Sequence, residues 1–274
     1  MGACDFQALV SARGLDDAHV CVTLMPDDKG AFFTAEKHKY QLLCIADSVA
    51  PYTAAFKLPL QSYQSMGSKG AQLLESLISA LRTKHPDIPI ILDAAWGNSD
   101  CDINYQSACF ATALDVQAVT VSPYAGEPAL RPLLQRFYCF VQCKTHSSGS
   151  GIQELLDANN YQQPLYLTVA KEVVYEWPRQ PHKTGLIVDA ISSLRGLEEV
   201  DNAIPNTGTM LLVQTSARSH FSAGAIVASV RTRGNAALIC LPKKMNSNYG
   251  NGDKDIAKQA NSLIMAGLAK PPRR

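Results

Sequence analysis

Short apolar runs alternate with longer amphipathic stretches along the whole chain. Eight of the runs are mostly continuous and rich in Val, Ile and Leu, as expected for parallel strands covered on both faces. They are residues 19–24, 53–58, 88–93, 117–122, 138–143, 185–188, 210–213 and 236–241. Eight strands of this kind, separated by helical stretches, predict repeated βα units and a parallel sheet.

The stretches between the strands have the spacing of amphipathic helices. Residues 70–83 place five apolar side chains three and four positions apart, so that they form one stripe on a helix. The same pattern predicts helices at residues 36–49, 102–114, 127–136, 190–199, 223–232 and 253–269. Residues 147–185 are longer and less regular, and we expect an irregular excursion on the fifth helix there.

Length and strand number together predict the architecture. The chain has 274 residues, close to the roughly 250 residues that are typical of one (β/α)8 barrel. No Pro-, Gly- or Ser-rich linker divides it. We therefore predict the α/β class, with one (β/α)8 TIM barrel over residues 1–274 and a short basic, solvated tail at residues 269–274.

Composition limits the partners and the compartment. The formal net charge is +1, which gives no overall field to attract nucleic acid or an anionic membrane. No apolar run approaches the roughly 20 residues that span a bilayer. The N-terminus lacks the apolar core of a secretory signal. The cytoplasm is the default expectation, and an organelle such as the mitochondrion is the alternative.

The eight cysteines are scattered singly along the chain. None forms a CxxC pair, and a metal site needs paired ligands at short spacing. We expect buried free thiols in a reducing compartment, no bound metal and no cofactor.

Functional residues of such a barrel gather where its strands end, and two of these segments are specific. They read AVTVSPYAGEPALRPLL at residues 118–134 and FVQCKTHSSGS at residues 140–150. They resemble the fourth strand of the orotidine 5′-monophosphate decarboxylase family, with its Val-Asn-Pro-Tyr-Met-Gly loop, and the fifth, with its Cys-Lys-Thr-Ser-Asn-Pro loop. Other segments match mainly by position, namely residues 22–26, 54–67, 91–99, 213–220 and 236–245. The resemblance implies the same barrel.

In that family, decarboxylation uses an alternating Lys-Asp-Lys-Asp array whose last Asp crosses a dimer interface. Carried over to this chain, the first two members are Lys57 and Asp93. Ala95 stands where the family has its proton-donating Lys, and Asn98 where it has the final Asp. A methyl group cannot donate a proton, and an amide has the shape of Asp without its charge. The resemblance therefore implies that the family mechanism cannot run here as written.

The positions that contact the nucleotide in the family are also changed. Met25 replaces the Asp that contacts the ribose, and His146 replaces the Ser that reads the pyrimidine. Arg218 and His220 lie in the phosphate-binding Gln-Gly-Gly element, and Lys243 replaces the phosphate-clamping Arg. Lysine keeps the charge of arginine but loses its bidentate geometry. The candidate ligand-binding residues are His146, Arg218, His220 and Lys243.

Each candidate also has a simpler interpretation. Lys57 and Asp93 are either a residual buried ion pair that orders the barrel mouth or ligand contacts. The basic residues either bind an anion together or form a solvated rim. His146 is more often a hydrogen-bonded polar residue than a catalyst.

Three hypotheses for function follow. The favoured one is a catalytically inactive homologue that acts as a structural or regulatory protein, including as a subunit of a larger assembly with other proteins. The first alternative is a barrel that binds or transforms a phosphorylated small molecule with altered chemistry. The second is a decarboxylase of orotidine 5′-monophosphate, a lyase of pyrimidine (UMP) biosynthesis. The family also implies a homodimer across the barrel mouth.

Overall fold

A computed structural model represents the fold of the chain. It describes residues 6–13, 18–26, 34–94, 100–145, 150–156, 163–177, 184–191, 193–215, 226 and 235–241. Among these residues, no helix is both long enough and apolar enough to cross a bilayer.

Eight parallel strands close into a barrel in the order of the sequence. The last strand pairs with the first, with Val20 opposite Ile239. This confirms the predicted (β/α)8 class, and each predicted strand lies within two residues of an observed one at both ends. The strands are β1 Ala18–Thr23, β2 Ala55–Pro59, β3 Ile90–Asp93, β4 Ala118–Val121, β5 Tyr138–Lys144, β6 Thr184–Asp189, β7 Met210–Gln214 and β8 Ala236–Cys240.

Helices lie between the strands, as the sequence pattern predicts. They are α1 Phe6–Ala12, α2 Ala35–Val49, α3 Leu60–Gln64, α4 Ser68–Lys84, α5 Asp100–Thr112, α6 Gly126–Leu134, α7 Leu165–Lys171 and α8 Arg195–Ala203. The predictions for α2, α4, α5 and α6 are correct to within two residues at each end. The helices α1, α3 and α7 were not predicted. The helices predicted at residues 223–232 and 253–269 and the tail fall outside the described ranges, apart from Ile226.

The helix predicted at residues 190–199 is wrong at both ends, because α8 begins five residues later, at Arg195, and ends four residues later, at Ala203. The reason for the later start is local hydrogen bonding at the end of β6. A carboxylate oxygen of Asp189 accepts the backbone N–H of Ile191 at 2.7 Å. The Ser193 hydroxyl accepts the N–H of Arg195 at 3.0 Å. These side chains offer the backbone turns in place of helix.

The region of the predicted excursion, residues 147–185, contains short elements where it is described. A 3-10 turn covers Ser150–Glu154, and α7 continues directly into a π-helical turn, Glu172–Glu176. A register shift between Gln142 and Lys144 in β5 precedes them. These local irregularities explain why no single helical period runs through this part of the sequence.

The core has two layers that the barrel wall separates. Helices cover the outside, and α4 buries the predicted stripe of Leu73, Leu74, Leu77, Ile78 and Leu81. Side chains from alternate positions of the strands fill the inside. At the N-terminal end of the barrel, Phe6 of α1 stacks on Tyr138 at 5.1 Å between ring centroids and meets Phe140 edge-on at 5.6 Å. The opposite end, where the strands terminate, is the mouth.

Candidate functional site

A charged pair lies inside the mouth, formed by Lys57 of β2 and by Asp93, the last residue of β3. The Nζ atom of Lys57 is 3.0 Å from Oδ2 of Asp93. The other carboxylate oxygen of Asp93 accepts the hydroxyl of Thr120 at 2.8 Å, and that hydroxyl accepts the backbone N–H of Ala94 at 2.9 Å. Both oxygens of the Asp93 carboxylate are therefore held, and its orientation is defined.

Strand geometry explains why these side chains meet. Lys57 is opposite Ile91 on β3, so Asp93 lies two residues further along that strand and faces the same way. Thr23 of β1 is opposite Lys57 on its other side. Alternate residues of a strand share a face, so Thr23, Lys57, Asp93 and Thr120 all belong to the inward-facing set.

Lys57 is buried but charged. Its side chain is 10% exposed and that of Asp93 is 21% exposed. Burial by itself lowers the pKa of Lys57, but the charges of Cys240 and Asp93 and the hydrogen bond to Asp93 raise it above its ordinary value overall. Lys57 is therefore an ammonium ion at neutral pH, and it is a weaker proton donor than an ordinary lysine.

Two hydrogen-bonded supports flank the mouth. The hydroxyl of Tyr63, a fully buried residue of α3, donates to the carbonyl of Leu24 at 2.9 Å and so anchors the chain just after β1. Next to Leu24, Met25 is half-buried. After β5, Gln153 accepts the N–H of Thr145 and donates to its hydroxyl, both at 2.8 Å. The backbone that leaves these two strands is thereby fixed.

A second polar cluster ties β5 to the helices behind it. The ammonium group of Lys144 forms an ion pair with Glu154 and lies 3.8 Å from the ring centroid of Tyr166. The Tyr166 hydroxyl donates to Glu199 on α8, and Arg195 donates to the same carboxylate at 2.7 Å. This cluster braces β5, the strand that precedes Thr145.

Most of the predicted site residues fall outside the described ranges. The structure brings together Lys57 and Asp93, as the ion-pair interpretation expected. Their contact with a ligand stays a prediction. The candidates outside the described residues are Ala95, Asn98, His146, Arg218, His220 and Lys243.

Sequence reasoning missed Thr120, which holds Asp93, and Tyr63, which anchors the end of β1. Thr120 follows Ala118 by two residues in an apolar strand, so the period of two could have identified it as inward-facing. Nothing local in the sequence indicates the partner of Tyr63. Among the residues that the structure describes, no three His, Cys, Asp or Glu side chains come together as a metal site requires.

Comparison with known proteins finds relatives in sequence and in fold, although no family model matches the chain. The orotidine 5′-phosphate decarboxylase of Roseiflexus sp. strain RS-1 is 36% identical over 169 residues, which are 59% of this chain and 58% of that protein. The enzyme of the same name from Herpetosiphon aurantiacus is 33% identical over 54% of its length. These two matches thus span little more than half of each relative. The Roseiflexus castenholzii protein is 27% identical over 96% of this chain and 98% of its own.

Solved structures show the same fold. The UMP synthase of Leishmania donovani superposes with a TM-score of 0.81 at 23% identity, over 97% of this chain and 57% of that one. The OMP decarboxylase of the same organism gives 0.78 at 22% identity, over 97% and 100%. In sequence and in fold, the chain is therefore similar to proteins named orotidine 5′-phosphate decarboxylase.

Proposed function

We propose that this chain does not decarboxylate orotidine 5′-monophosphate by the mechanism of the family it resembles and that its barrel acts as a structural or regulatory module. One observation carries the proposal: Ala95 follows Asp93 by two residues, where the resemblance implies the lysine that protonates the substrate. Asn98 stands in the position of the final Asp. Two of the four charges of the array are missing from the sequence.

The neighbouring lysine is a poor substitute for the missing one. Lys57 is bound to Asp93 at 3.0 Å, and its raised pKa makes release of its proton less favourable. Removal of one positioned general acid typically costs about 10²–10⁴-fold in rate. The loss of a preorganised charge adds to this cost, since electrostatic stabilisation is usually the largest single contribution to catalysis.

The experiment is a turnover assay with orotidine 5′-monophosphate on the purified full chain. We expect no release of carbon dioxide above background. The Ala95→Lys, Asn98→Asp double variant restores both missing groups, and any gain in rate would show that the rest of the site still binds the nucleotide. An enzyme-like rate in the unmodified chain would refute the proposal.

The second candidate is a working decarboxylase of pyrimidine biosynthesis. It is favoured by the names of the relatives and by the retained Lys57–Asp93 pair. Under this hypothesis, Lys57→Ala would abolish turnover that the unmodified chain shows. Under our proposal, neither protein turns over the substrate.

A third candidate is a barrel that binds a phosphorylated small molecule and has altered chemistry. Its support is the basic set of Arg218, His220 and Lys243 in the sequence. Calorimetry with uridine monophosphate tests it: binding that is lost in Arg218→Ala and kept in Arg82→Ala, a surface control, would favour this candidate over a purely structural role.

We further propose that the module works in contact with protein partners, either a second copy of this chain or other proteins. The proposal has the support of the family resemblance, which implies a homodimer across the mouth. Isolation of the protein from its source, with identification of what accompanies it, distinguishes the cases. Elution as a single copy with no companion would refute the assembly.

A further inference from the structure

Two buried cysteines face each other across the seam that closes the barrel. Cys21 of β1 and Cys240 of β8 are directly opposite in register, and both are buried inside the barrel. Opposed residues on neighbouring parallel strands lie about 4.8 Å apart. A disulfide bridges Cα atoms separated by roughly 4.4–6.8 Å. The backbone spacing therefore permits a bond between the two sulfur atoms.

The pair lies beside the cation of the mouth. Cys21 is opposite Ala55, two residues before Lys57 on β2, so Lys57 and the two thiols share one patch of the inner wall. Cys240 is the last residue of β8 and therefore lies at the mouth end. A cation next to a thiol stabilises its thiolate, which is the reactive form.

We propose that Cys21 and Cys240 form a redox-modification site in which a hydroperoxide such as hydrogen peroxide oxidises the two thiols to a disulfide. Cys240 reacts first and Cys21 resolves the product. The modification is independent of the function proposed above, because it requires neither nucleotide nor decarboxylation.

The chemistry balances with one peroxide. The thiolate of Cys240 attacks one peroxide oxygen and breaks the O–O bond, which leaves a sulfenic acid on the sulfur and releases hydroxide. That hydroxide takes up the proton that Cys240 lost and becomes water. The sulfur of Cys21 then attacks the sulfenic sulfur, forms the S–S bond and expels a second hydroxide. The second hydroxide accepts the Cys21 proton and leaves as water.

The division of roles follows from the environment of each sulfur. The pKa of Cys240 is lowered by the hydrogen bond from the Cys21 thiol and by Lys57, against the opposing effect of burial. The pKa of Cys21 is raised, first by burial and then by Cys240. The thiolate therefore forms on Cys240, and Cys21 keeps its proton until the second step.

The chain provides an internal control. Cys139 and Cys143 are also buried, but they lie on one strand, β5, and are four positions apart along it. That separation corresponds to about 13 Å, too far for a disulfide. Burial raises the pKa of Cys143 to about 12. Cys44 and Cys109, which are exposed in the part of the chain that the structure describes, report reaction at the surface.

The experiment is peptide mapping of the full chain by mass spectrometry, after treatment with hydrogen peroxide and blocking of the remaining thiols. We expect a linked Cys21–Cys240 peptide pair, with Cys139 and Cys143 still reduced. In Cys21→Ser, dimedone should instead trap a sulfenic acid on Cys240. Lys57→Gln should slow the reaction about tenfold, because loss of the neighbouring cation lowers the fraction of Cys240 that is thiolate, whereas Lys84→Gln should not.

Mapping of the unmodified chain decides the question even if a variant fails to fold. If Cys44 or Cys109 is oxidised while Cys21 and Cys240 remain reduced, the proposal is overturned. A link between either cysteine of the pair and any other thiol would overturn it equally.

Discussion

A buried lysine needs a counter-charge, and Asp93 supplies it for Lys57. The hydroxyl of Thr120 donates a hydrogen bond to the second carboxylate oxygen of Asp93, so this carboxylate has little freedom to rotate away from Lys57. The pair is part of the barrel wall, whatever its role towards a ligand. Removal of one partner leaves the other charge buried without compensation, which is costly.

The first prediction concerns this pair. Asp93→Asn should lower the free energy of unfolding by about 3 kcal/mol, the typical cost of breaking a buried ion pair from one side. Urea denaturation measures it. The matched control is Asp115→Asn, which breaks the exposed ion pair with Arg82 at 3.2 Å and should change little. Equal effects of the two substitutions would contradict the buried role of Asp93.

At the scale of elements, α7 and α8 are linked by one hydrogen bond from a buried ring. Tyr166 is 1% exposed, and its hydroxyl donates to Glu199. Burial raises the pKa of Glu199, but the hydrogen bonds from Tyr166 and Arg195 lower it below its ordinary value overall. The bond is therefore strongest with the carboxylate ionised.

The second prediction follows. Tyr166→Phe should lower the free energy of unfolding by about 1.5 kcal/mol at neutral pH, as expected for a hydrogen bond to a charged group. The pKa of Glu199 is lower in the folded state than in the unfolded state. The hydrogen bond therefore contributes fully to stability at pH values above the unfolded pKa of about 4.3. This contribution is lost as the pH falls through the folded pKa. Urea unfolding at several pH values should show the difference between the two proteins shrinking in acid. A constant difference would rule out the charged acceptor.

The joint between α3 and α4 depends on a glycine. A Cβ atom on Gly70 would lie 1.8 Å from the carbonyl oxygen of Tyr63, which is backbone and cannot move aside without displacing α3. The same helix carries the hydroxyl that anchors Leu24 at the mouth. The close approach of the two helices therefore supports the site.

The third prediction tests this joint. Gly70→Ala should lower the free energy of unfolding by about 2 kcal/mol, because overpacking of a filled interior typically costs 1–3 kcal/mol. Gly151→Ala is the control, since nothing lies within 4 Å of a Cβ atom there. Thermal unfolding of both variants measures the effect. Similar midpoints for the two would contradict the close approach.

At the scale of the whole molecule, α1 covers the N-terminal end of the barrel. Phe6 is 2% exposed and fills the floor against Tyr138 and Phe140. The polar residues of the mouth therefore lie at the end of the barrel opposite to this aromatic packing.

The fourth prediction concerns the seal. Phe6→Ala should lower the free energy of unfolding by about 3–4 kcal/mol, through lost apolar burial and the cavity it leaves. Leu155→Ala, at a residue 61% exposed, is the control and should change little. Calorimetric unfolding provides the comparison. If Phe6→Ala unfolds like the control, α1 is not part of the barrel core.

The alternation of apolar runs and amphipathic stretches was enough to predict the barrel and its strands, because a strand covered on both faces appears in the sequence as a continuous apolar run. The helix stripes were also clear where they face the barrel, as in α4. Short helices such as α1 and α3 were missed because seven and five residues contain too few turns to show a period. The start of α8 was misjudged because the side chains of Asp189 and Ser193 form turns instead of a helix.

For the candidate site, too, some features follow from the sequence and others only from the tertiary structure. The sequence alone determined that Ala95 and Asn98 carry no charge, since a side chain that lacks a charge lacks it in any fold. It also indicated Lys57 and Asp93, because strand ends can be read from the pattern. Only the tertiary structure decided that Thr120 holds Asp93, that Tyr63 anchors Leu24 and that Cys21 faces Cys240. These contacts join positions far apart in the chain, and their distances depend on how the closed barrel sets the register of neighbouring strands.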